Sequence, residues 1–476
     1  NTYQANNYSL NPSLTYLHKF GTKGRSLIFE TNAGFSDNDS FGKIDSENEI
    51  LQNPISISQL VQDQKANFRG NSFDAKLSFM EPISKNVAVG FSGRITDENN
   101  INQSDYYDII NDILLRNSDL SNGFRRDYIS RYGGINYSLN TDKLNFTLGL
   151  NYENSVQKGL LNSEENIKNT YEAVLPSAVL RFDLGNSENL SLRYMTDMRE
   201  PSVQQLQPTI DNSNPFSIYT GNPNLRPEYQ HGFYGSYMNY DAFNFRLLYL
   251  SFRGSYVQNS INNAISINEQ LVRTIMPVNT ANASRFSSKA EFSSPIKSLD
   301  IKYKIALRAN HSYGQSPVND VMNRTKVWGK GLTLSLENRK KNILDAQIGY
   351  QFYHSDSHYS RDVNMNQFYK EQGFFINTSL YLGERFTLKS DFDYQSFDQS
   401  FSDGIYKIPL WTASASTFLD KNKKFRLRAS IFDILDKNKG ISRTNSLNYN
   451  EVSQTNVLGR YFLIGLSYHI KGFKKE

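Results

Sequence analysis

Few residues in this sequence have types and spacings that could do chemistry. His354 and His358, with Asp356 and Asp362 nearby, offer imidazole and carboxylate groups that could bind iron, zinc or copper. They fall between two strand-like stretches, where a solvated polar loop is the simpler interpretation. We therefore expect no metal site here.

A second acidic group has the spacing of a calcium loop. Asp37, Asp39, Gly42 and Asp45 fit the pattern, but the twelfth position is Asn48 rather than a bidentate glutamate. Strand-like sequence flanks the group, whereas an EF-hand needs a helix on each side. The sequence therefore predicts no calcium site, and we expect no cofactor.

Asp391 and Asp393 are close enough to suggest a general acid and base. They alternate with apolar residues and share a strand face with Lys389, so a polar wall is the simpler interpretation. The chain has no cysteine, nucleophile elbow, zinc-protease helix or phosphate-binding glycine loop. We predict that the protein is not an enzyme.

The elements that carry these residues are predicted to be strands with two different faces. In residues 458–470, apolar side chains recur at every second position, and small or polar ones lie between them. The same alternation recurs in residues 144–152, 299–310, 344–352, 386–395 and 425–431. A continuous apolar face requires an apolar neighbour, which is either a second sheet or lipid.

Several features favour lipid over a soluble sandwich. No apolar run reaches the roughly 18 residues that a membrane-spanning helix needs. The mean hydropathy of −0.58 is compatible with a barrel, in which only every second strand residue faces lipid. Short polar turns, as at 84–86 and 141–143, alternate with long segments, as at 97–125 and 199–228. We therefore predict an all-β fold, a transmembrane antiparallel β-barrel.

The strand-like segments number about 19, and we expect them to form one domain over residues 1–476. If the last strand ends in the periplasm, the alternation of turns and loops makes the first strand, Tyr8 to Phe20, run inward too. An even-stranded barrel then needs an odd number of strands before Tyr8, and three would give about 22, the size that encloses a plugged lumen. We expect a plug domain and the first strands to lie upstream of Asn1 or to be absent.

The charged residues that alternate with the apolar ones are predicted to face the lumen. There they would contact a plug or a hydrated path, provided that no strand slips by one residue. These residues are Lys302, Lys304, Arg308, Lys389, Asp391, Asp393, Arg426 and Arg428.

Two of the long segments are predicted to contain helices. Ser104 would cap a helix over 105–116 with an apolar stripe, and Ser56 or Ser58 would begin a short helical turn that ends near Gln64. For these segments, a loop that folds on itself as a lid is favoured over a partner-binding helix.

One long segment has a distinctive order of prolines and glycines. It reads Met-Arg-Glu-Pro-Ser from Met198, and Tyr-Thr-Gly-Asn-Pro-Asn-Leu-Arg-Pro-Glu-Tyr from Tyr219 to Tyr229. These residues stiffen a loop, so a structural brace is one interpretation. The segment also resembles a signature of TonB-dependent outer-membrane receptors, and residues 432–436 and 458–462 are similar to their last hairpin. The positions that carry the resemblance are Arg199, Pro201, Tyr219, Gly221, Asn222, Pro223, Leu225, Pro227 and Glu228.

The nearest resemblance is to the outer-membrane β-barrel subfamily common in Bacteroidetes-type bacteria, over essentially the whole chain. It implies active import across the outer membrane of a Gram-negative bacterium. A plug would fill the barrel, extracellular loops would capture a scarce ligand, and a TonB-type energising protein would pull on the plug.

Other partners and roles follow from the same resemblance. The lipid bilayer, and a surface lipoprotein or other outer-membrane subunits, are candidate partners. The competing interpretation is a barrel subunit of a larger outer-membrane assembly, with a partner-binding role and no transport. The net charge of +5 and the lack of a Lys/Arg run argue against nucleic acid.

Overall fold

The computed structural model describes most of the chain. The described residues are 2–21, 24–50, 56–118, 120–162, 164–185, 187–208, 210–211, 217–268, 272–399, 405–445, 450–455 and 457–470. Most of them are in strands, because alternating apolar and polar side chains suit a sheet whose two faces meet different surroundings.

The strands are β1 (Thr2–Leu10), β2 (Ser13–Lys19), β3 (Ser26–Ile50), β4 (Ser56–Pro82), β5 (Val87–Ile110), β6 (Ile113–Arg116), β7 (Asn122–Asn140), β8 (Leu144–Leu161), β9 (Glu164–Gly185), β10 (Glu188–Arg199), β11 (Ile210–Asp211), β12 (Ser217–Thr220), β13 (Glu228–Asp241), β14 (Arg246–Gln258), β15 (Ile261–Ile267), β16 (Arg273–Asn279), β17 (Asn282–Ile296), β18 (Ile301–Val318), β19 (Val321–Asn338), β20 (Leu344–Tyr359), β21 (Gln367–Leu382), β22 (Phe386–Gln399), β23 (Tyr406–Phe418), β24 (Phe425–Phe432), β25 (Gly440–Asn445), β26 (Asn450–Thr455) and β27 (Tyr461–Tyr468). Helical structure in the described residues comprises α1 (Val203–Leu206) and two 3-10 helices, Lys297–Leu299 and Val363–Met365. None of the described helices is long and apolar enough to cross a membrane.

A single large sheet dominates the fold. It contains 25 strands, whereas β25 and β26 form a separate hairpin. β1 and β2 pair with successive parts of β3 and so count as one wall strand, and β6, β11, β12, β15 and β16 are short strands beside the wall. The wall therefore has 19 described strands, paired antiparallel in chain order, which agrees with the predicted number.

The two faces of the wall differ in chemistry. Ile135, Leu148 and Leu150 lie on one face of β7 and β8 with 47%, 46% and 52% of their surfaces exposed. On the opposite face of the same strands, Ser138 and Ser155 are buried. We call these the apolar face and the polar face. Lipid solvates an uncovered apolar face of this kind.

Three neighbouring strands are much longer than a membrane requires. β3, β4 and β5 contain 25, 27 and 24 residues, whereas a transmembrane strand needs about 9–11. They continue as one antiparallel ribbon in which Ser36 lies opposite Gly70 and Gly70 opposite Asn100. Much of the long segments predicted as loops is therefore strand. Apolar alternation fades there, while pairing with the neighbouring strands keeps the backbone extended.

Neither predicted helix forms. Residues 56–64 belong to β4, and residues 105–116 form the hairpin of β5 and β6. Asn111 and Asp112 have φ angles of 50° and 62°, the left-handed conformation that a two-residue type I′ hairpin turn requires. This Asn-Asp pair between the apolar residues is the signal that the helical interpretation overlooked.

Short turns join the wall strands at one end, which we call the short-turn end. The carboxylate of Asp420 closes one of these turns by accepting hydrogen bonds from the backbone N–H groups of Asn422, Lys424 and Phe425. These bonds, foremost that from Phe425, lower the pKa of Asp420. Local bonds therefore hold the turn without much buried surface.

The first and last wall strands are edges in the described part of the chain. The side chains of β1, β2 and β27 are exposed, and no described ladder joins β27 to β1 or β2. The number of strands in a complete barrel, about 22, stays a prediction.

Candidate functional site

The segment 200–227, which we call the motif loop, connects β10 to β13 and packs against the polar face. Glu200 begins it and is held by two hydroxyl groups. Tyr128 of β7 and Ser155 of β8 each donate a hydrogen bond of 2.9 Å to its Oε1 atom. The start of the loop is thus tied to two wall strands distant in sequence.

Tyr128 lies beyond the apolar part of β7, in a charged environment. Burial, and then the nearby carboxylate of Glu200, raise the pKa of Tyr128. The guanidinium of Arg126 lies 4.6 Å from the centre of the Tyr128 ring and donates a 2.9 Å bond to Glu98. The phenol therefore stays protonated and remains a hydrogen-bond donor to Glu200.

A short helix follows. Ser202 caps α1 reciprocally: its hydroxyl accepts from the Gln205 N–H, and the Gln205 side chain accepts from the Ser202 N–H. After the helix, the Gln207 carbonyl accepts a 3.0 Å bond from the Gly221 N–H. A Cβ atom on Gly221 would lie 2.2 Å from that carbonyl oxygen. Only glycine fits where these two backbone segments meet.

An apolar cluster fastens the loop to the wall. Leu206 and Leu225 of the loop pack with Phe124 of β7 and Ile167 of β9, and all four are at least 96% buried. Burial of each such side chain stabilises a fold by roughly 1.5–3 kcal/mol. A second buried apolar cluster, of Ala173, Leu175 and Met198, lies at the neighbouring strands β9 and β10.

The middle of the loop is held at Asn222. Its side-chain amide donates a 3.0 Å bond to the Pro277 carbonyl, and its Oδ1 accepts from the Asn224 N–H. Pro223 lies between these contacts, partly buried, and Pro227 directly precedes β13.

The end of the loop is bound to the neighbouring strands. The Arg226 N–H donates a 2.8 Å bond to Asn279, whose amide returns a 2.9 Å bond to the Arg226 carbonyl. The Glu228 carboxylate accepts a 2.7 Å bond from the Ile261 N–H. The beginning, the middle around Asn222 and the end of the motif loop are therefore each bonded to neighbouring strands among the described residues.

A small cavity separates the loop from β5. Tyr219 of β12 lines it together with Tyr106, and its volume is about 270 Å³. Asn102 donates a 3.2 Å bond to Gln207 at its edge. Burial, followed by the nearby Asp211 carboxylate, raises the pKa of Tyr106 to about 12.

The structure places the predicted motif positions in one loop and at its two ends, but they differ in how far they are exposed to solvent. Arg199 ends β10, is exposed, and pairs with Asp197 at 3.4 Å, whereas Pro201, Gly221 and Leu225 are buried. The brace interpretation of these positions stays a prediction.

The charged residues predicted to face the lumen lie on the polar face. On β18, Lys302 pairs with Glu337 at 3.2 Å and Lys304 with Glu291 at 3.7 Å. Arg308 makes no ion pair with any described residue.

The other predicted residues of this set lie on β22 and β24. Arg426 donates a 2.9 Å bond to Ser416, and Arg428 a 3.2 Å bond to Ser414. The remaining three share one face of β22: Lys389, Asp391 and Asp393. Contact of any of these residues with a plug or a hydrated path stays a prediction.

Several of the candidate metal ligands have protein partners. His354 Nε2 lies 3.0 Å from Asp356 on the same strand. Asp37 pairs with Arg69 at 3.6 Å, and Asp39 accepts a bond from the next strand. Within the described ranges, no three His, Asp or Glu side chains come together as a metal site.

The sequence interpretation missed Glu200 and its partners. Glu200 stands between Arg199 and Pro201, so the motif itself contained the signal. Its donors, Tyr128 and Ser155, precede it by 72 and 45 residues, and nothing in their local sequence marks them.

A sheet with an exposed apolar face, a polar face and short turns at one end is the wall of a transmembrane β-barrel. The chain belongs to the outer membrane protein beta-barrel family, whose model matches residues 18–468. The predicted fold class, family and location in a Gram-negative outer membrane are thereby confirmed.

Several solved structures resemble the chain at low identity. The copper transporter OprC is 9% identical with a TM-score of 0.44, and the match covers 98% of this chain and 80% of that one. The ferric-catecholate import receptor Fiu from E. coli K12 is 8% identical with a TM-score of 0.42, covering 98% and 81%. The siderophore receptor PirA from Pseudomonas aeruginosa is 11% identical with a TM-score of 0.33, covering 98% and 76%. No curated protein matches the sequence.

Proposed function

We propose that the chain is the barrel of a TonB-dependent outer-membrane transporter that imports a scarce ligand through a plugged lumen. The observation that carries the proposal is the size of the wall, with 19 described strands and a polar inner face. Porins of 16–18 strands leave an aqueous channel, whereas barrels of about 22 strands enclose a plug. A wall of this size therefore suits gated import better than passive diffusion.

The motif loop supports the same proposal. Its hydrogen bonds to β7 and β8 and its apolar packing on β7 and β9 would make it a fixed obstacle on the polar face instead of a free loop. A fixed inner surface is what a plug or a captured ligand would need to dock against.

Nutrient-limited growth tests the import role. A strain that lacks this gene and a strain that lacks the TonB-type protein would be grown on a panel of scarce nutrients. We expect the gene deletion to reproduce one of the growth defects of the TonB-type deletion, and the restored gene to repair it. The absence of any shared defect, with the protein present in the membrane, would contradict import.

A second candidate role is partner binding in a larger outer-membrane assembly. The ribbon of β3, β4 and β5 favours it, because strands of 24–27 residues present a large polar surface beyond the membrane. Purification in mild detergent tests this role. A stoichiometric partner, such as a surface lipoprotein, without any nutrient defect in the deletion strain would support assembly over import.

A further inference from the structure

Four cationic side chains line one cavity on the polar face. The cavity has a volume of about 470 Å³ and is bordered by Arg193, Arg253, Lys289 and Arg308. Its other walls are formed mainly by serine and tyrosine side chains. Small-molecule sites usually have volumes of about 300–1,000 Å³, so the cavity is large enough for a small ligand.

Strand register explains why these residues meet. Arg193 lies opposite Tyr234, and Tyr234 opposite Arg253, across β10, β13 and β14. In the next row, which is displaced by two residues along the strands, Lys289 of β17 lies opposite Arg308 of β18. Side chains opposite one another in a sheet are about 5 Å apart. The wall therefore concentrates positive charge in two adjacent rows.

The charges of this cluster are incompletely balanced. Lys289 and Arg308 are like charges in direct cross-strand positions, an arrangement that destabilises a sheet. The nearest carboxylate, Glu291, lies 2.6 Å from Lys289 and also 3.7 Å from Lys304. A single carboxylate thus serves two lysines, and it leaves Arg308 without a counter-ion among the described residues.

The two remaining cations are also without an acidic partner in the described part of the chain. The Arg253 guanidinium lies 5.0 Å from the centre of the Tyr234 ring, and neither Arg253 nor Arg193 forms an ion pair there. On the opposite face of the same strands, Leu250 and Leu307 are 41% and 53% exposed. The cations therefore lie at the depth of the bilayer, where ionisable groups are costly and commonly mark a ligand or ion path.

We propose that this cluster, Arg193, Arg253, Lys289 and Arg308, binds a small anionic ligand that carries carboxylate or phosphate groups. Guanidinium groups bind such oxyanions with two parallel hydrogen bonds. The hydroxyl groups of the cavity would donate further bonds to oxygen atoms. This inference deepens the proposed import function. The role of the anion as a transported ligand rests on that function, because the anion would pass through this lumen.

Binding by the purified full-length protein tests the site. Citrate and inorganic phosphate would each be titrated by calorimetry into the detergent-solubilised protein at low ionic strength. We expect citrate to bind, and Arg253→Gln and Arg308→Gln each to weaken its affinity by about tenfold, or about 1.4 kcal/mol. Arg308→Lys should retain part of the affinity because it keeps the charge but loses the planar fork.

Arg94→Gln is the matched control. Arg94 also lies on the polar face, on β5, and pairs with Asp74 at 2.5 Å outside the cavity. We expect this variant to bind citrate as the natural protein does. An equal loss in Arg94→Gln would overturn the site, because the anion would then sense only the general charge of the protein. No loss in either cavity variant would also overturn it, because the anion would then bind elsewhere.

Two further outcomes separate this inference from the proposed function. If neither citrate nor phosphate binds the natural protein, the anion site is wrong whatever the growth experiment shows. If citrate binds as expected but the gene deletion shares no nutrient defect with the TonB-type deletion, the site stands and import is rejected. Retained heat-modifiable mobility in gels would show that each variant still folds.

Discussion

At the residue scale, the conformation of the motif loop depends on a few positions where the type of side chain is tightly restricted. Gly221 allows two backbone segments to touch, and Glu200 accepts bonds from two strands at once. A substitution at either position leaves an atomic overlap or an unpaired polar group, and both are recognised causes of large destabilisation.

Gly221→Ala should destabilise the protein. The added Cβ atom would lie 2.2 Å from the Gln207 carbonyl oxygen, and overpacking of this kind costs about 1–3 kcal/mol or more. Urea unfolding in lipid vesicles would measure the loss. Gly133→Ala is the control, because nothing lies within 4 Å of its added Cβ atom. Equal stability of the two variants would contradict the close approach.

Tyr128→Phe should lower the free energy of unfolding at pH 8 by about 1–3 kcal/mol, because it leaves Glu200 with one hydroxyl donor fewer. The folded-state pKa of Tyr128 is raised above its ordinary value of 10. The phenol's contribution is therefore complete below pH about 10 and is lost as the pH rises through the folded pKa.

The difference between the natural protein and Tyr128→Phe should accordingly shrink above pH 10. Tyr137→Phe, on the apolar face, is the control and should be nearly neutral at every pH. A difference that grew with alkaline pH would contradict this role of the hydroxyl.

At the element scale, each wall strand has its faces fixed by its register. A slip of one residue would move every apolar side chain to the polar face. Because each wall strand between the edges pairs with a neighbour on either side, as β19 does with β18 and β20, the faces of one strand constrain those of the next.

Leu334→Arg should destabilise the barrel by about 2–4 kcal/mol, because Leu334 of β19 faces lipid with 39% of its surface exposed. Thr333→Arg, one residue away on the polar face, should cost much less. Both unfolding free energies would be measured in the same vesicles. The reverse order would show that the faces are assigned wrongly.

At the scale of the whole molecule, the barrel has two unlike ends. Short turns close one end, and long paired strands extend from the other. In outer-membrane barrels the short turns face the periplasm and the long connections face outward.

This orientation can be tested because the chain has no cysteine. Asp320→Cys, in the hairpin between β18 and β19, should react with a membrane-impermeant maleimide in intact cells. Asn422→Cys, at the short-turn end, should react only after the outer membrane is permeabilised. Labelling of Asn422→Cys in intact cells would reverse the orientation.

The sequence by itself determined the barrel class, the number of wall strands and which residues alternate. These are local properties, since period-two alternation and polar turns each depend on a few consecutive residues. Residues 458–470 and 299–310 already show them. The motif at 199–228 also identified the family, although not its contacts.

Only the tertiary structure decided which strands lie side by side and in which register. The outer ends of β3, β4 and β5 show no regular apolar alternation, so their pairing is visible only in the sheet. The two hydroxyl partners of Glu200 lie 45 and 72 residues before it. The four cations of the cluster, Arg193, Arg253, Lys289 and Arg308, lie on strands up to 115 positions apart. Their proximity follows from hydrogen bonds between strands, which no single segment of the sequence encodes.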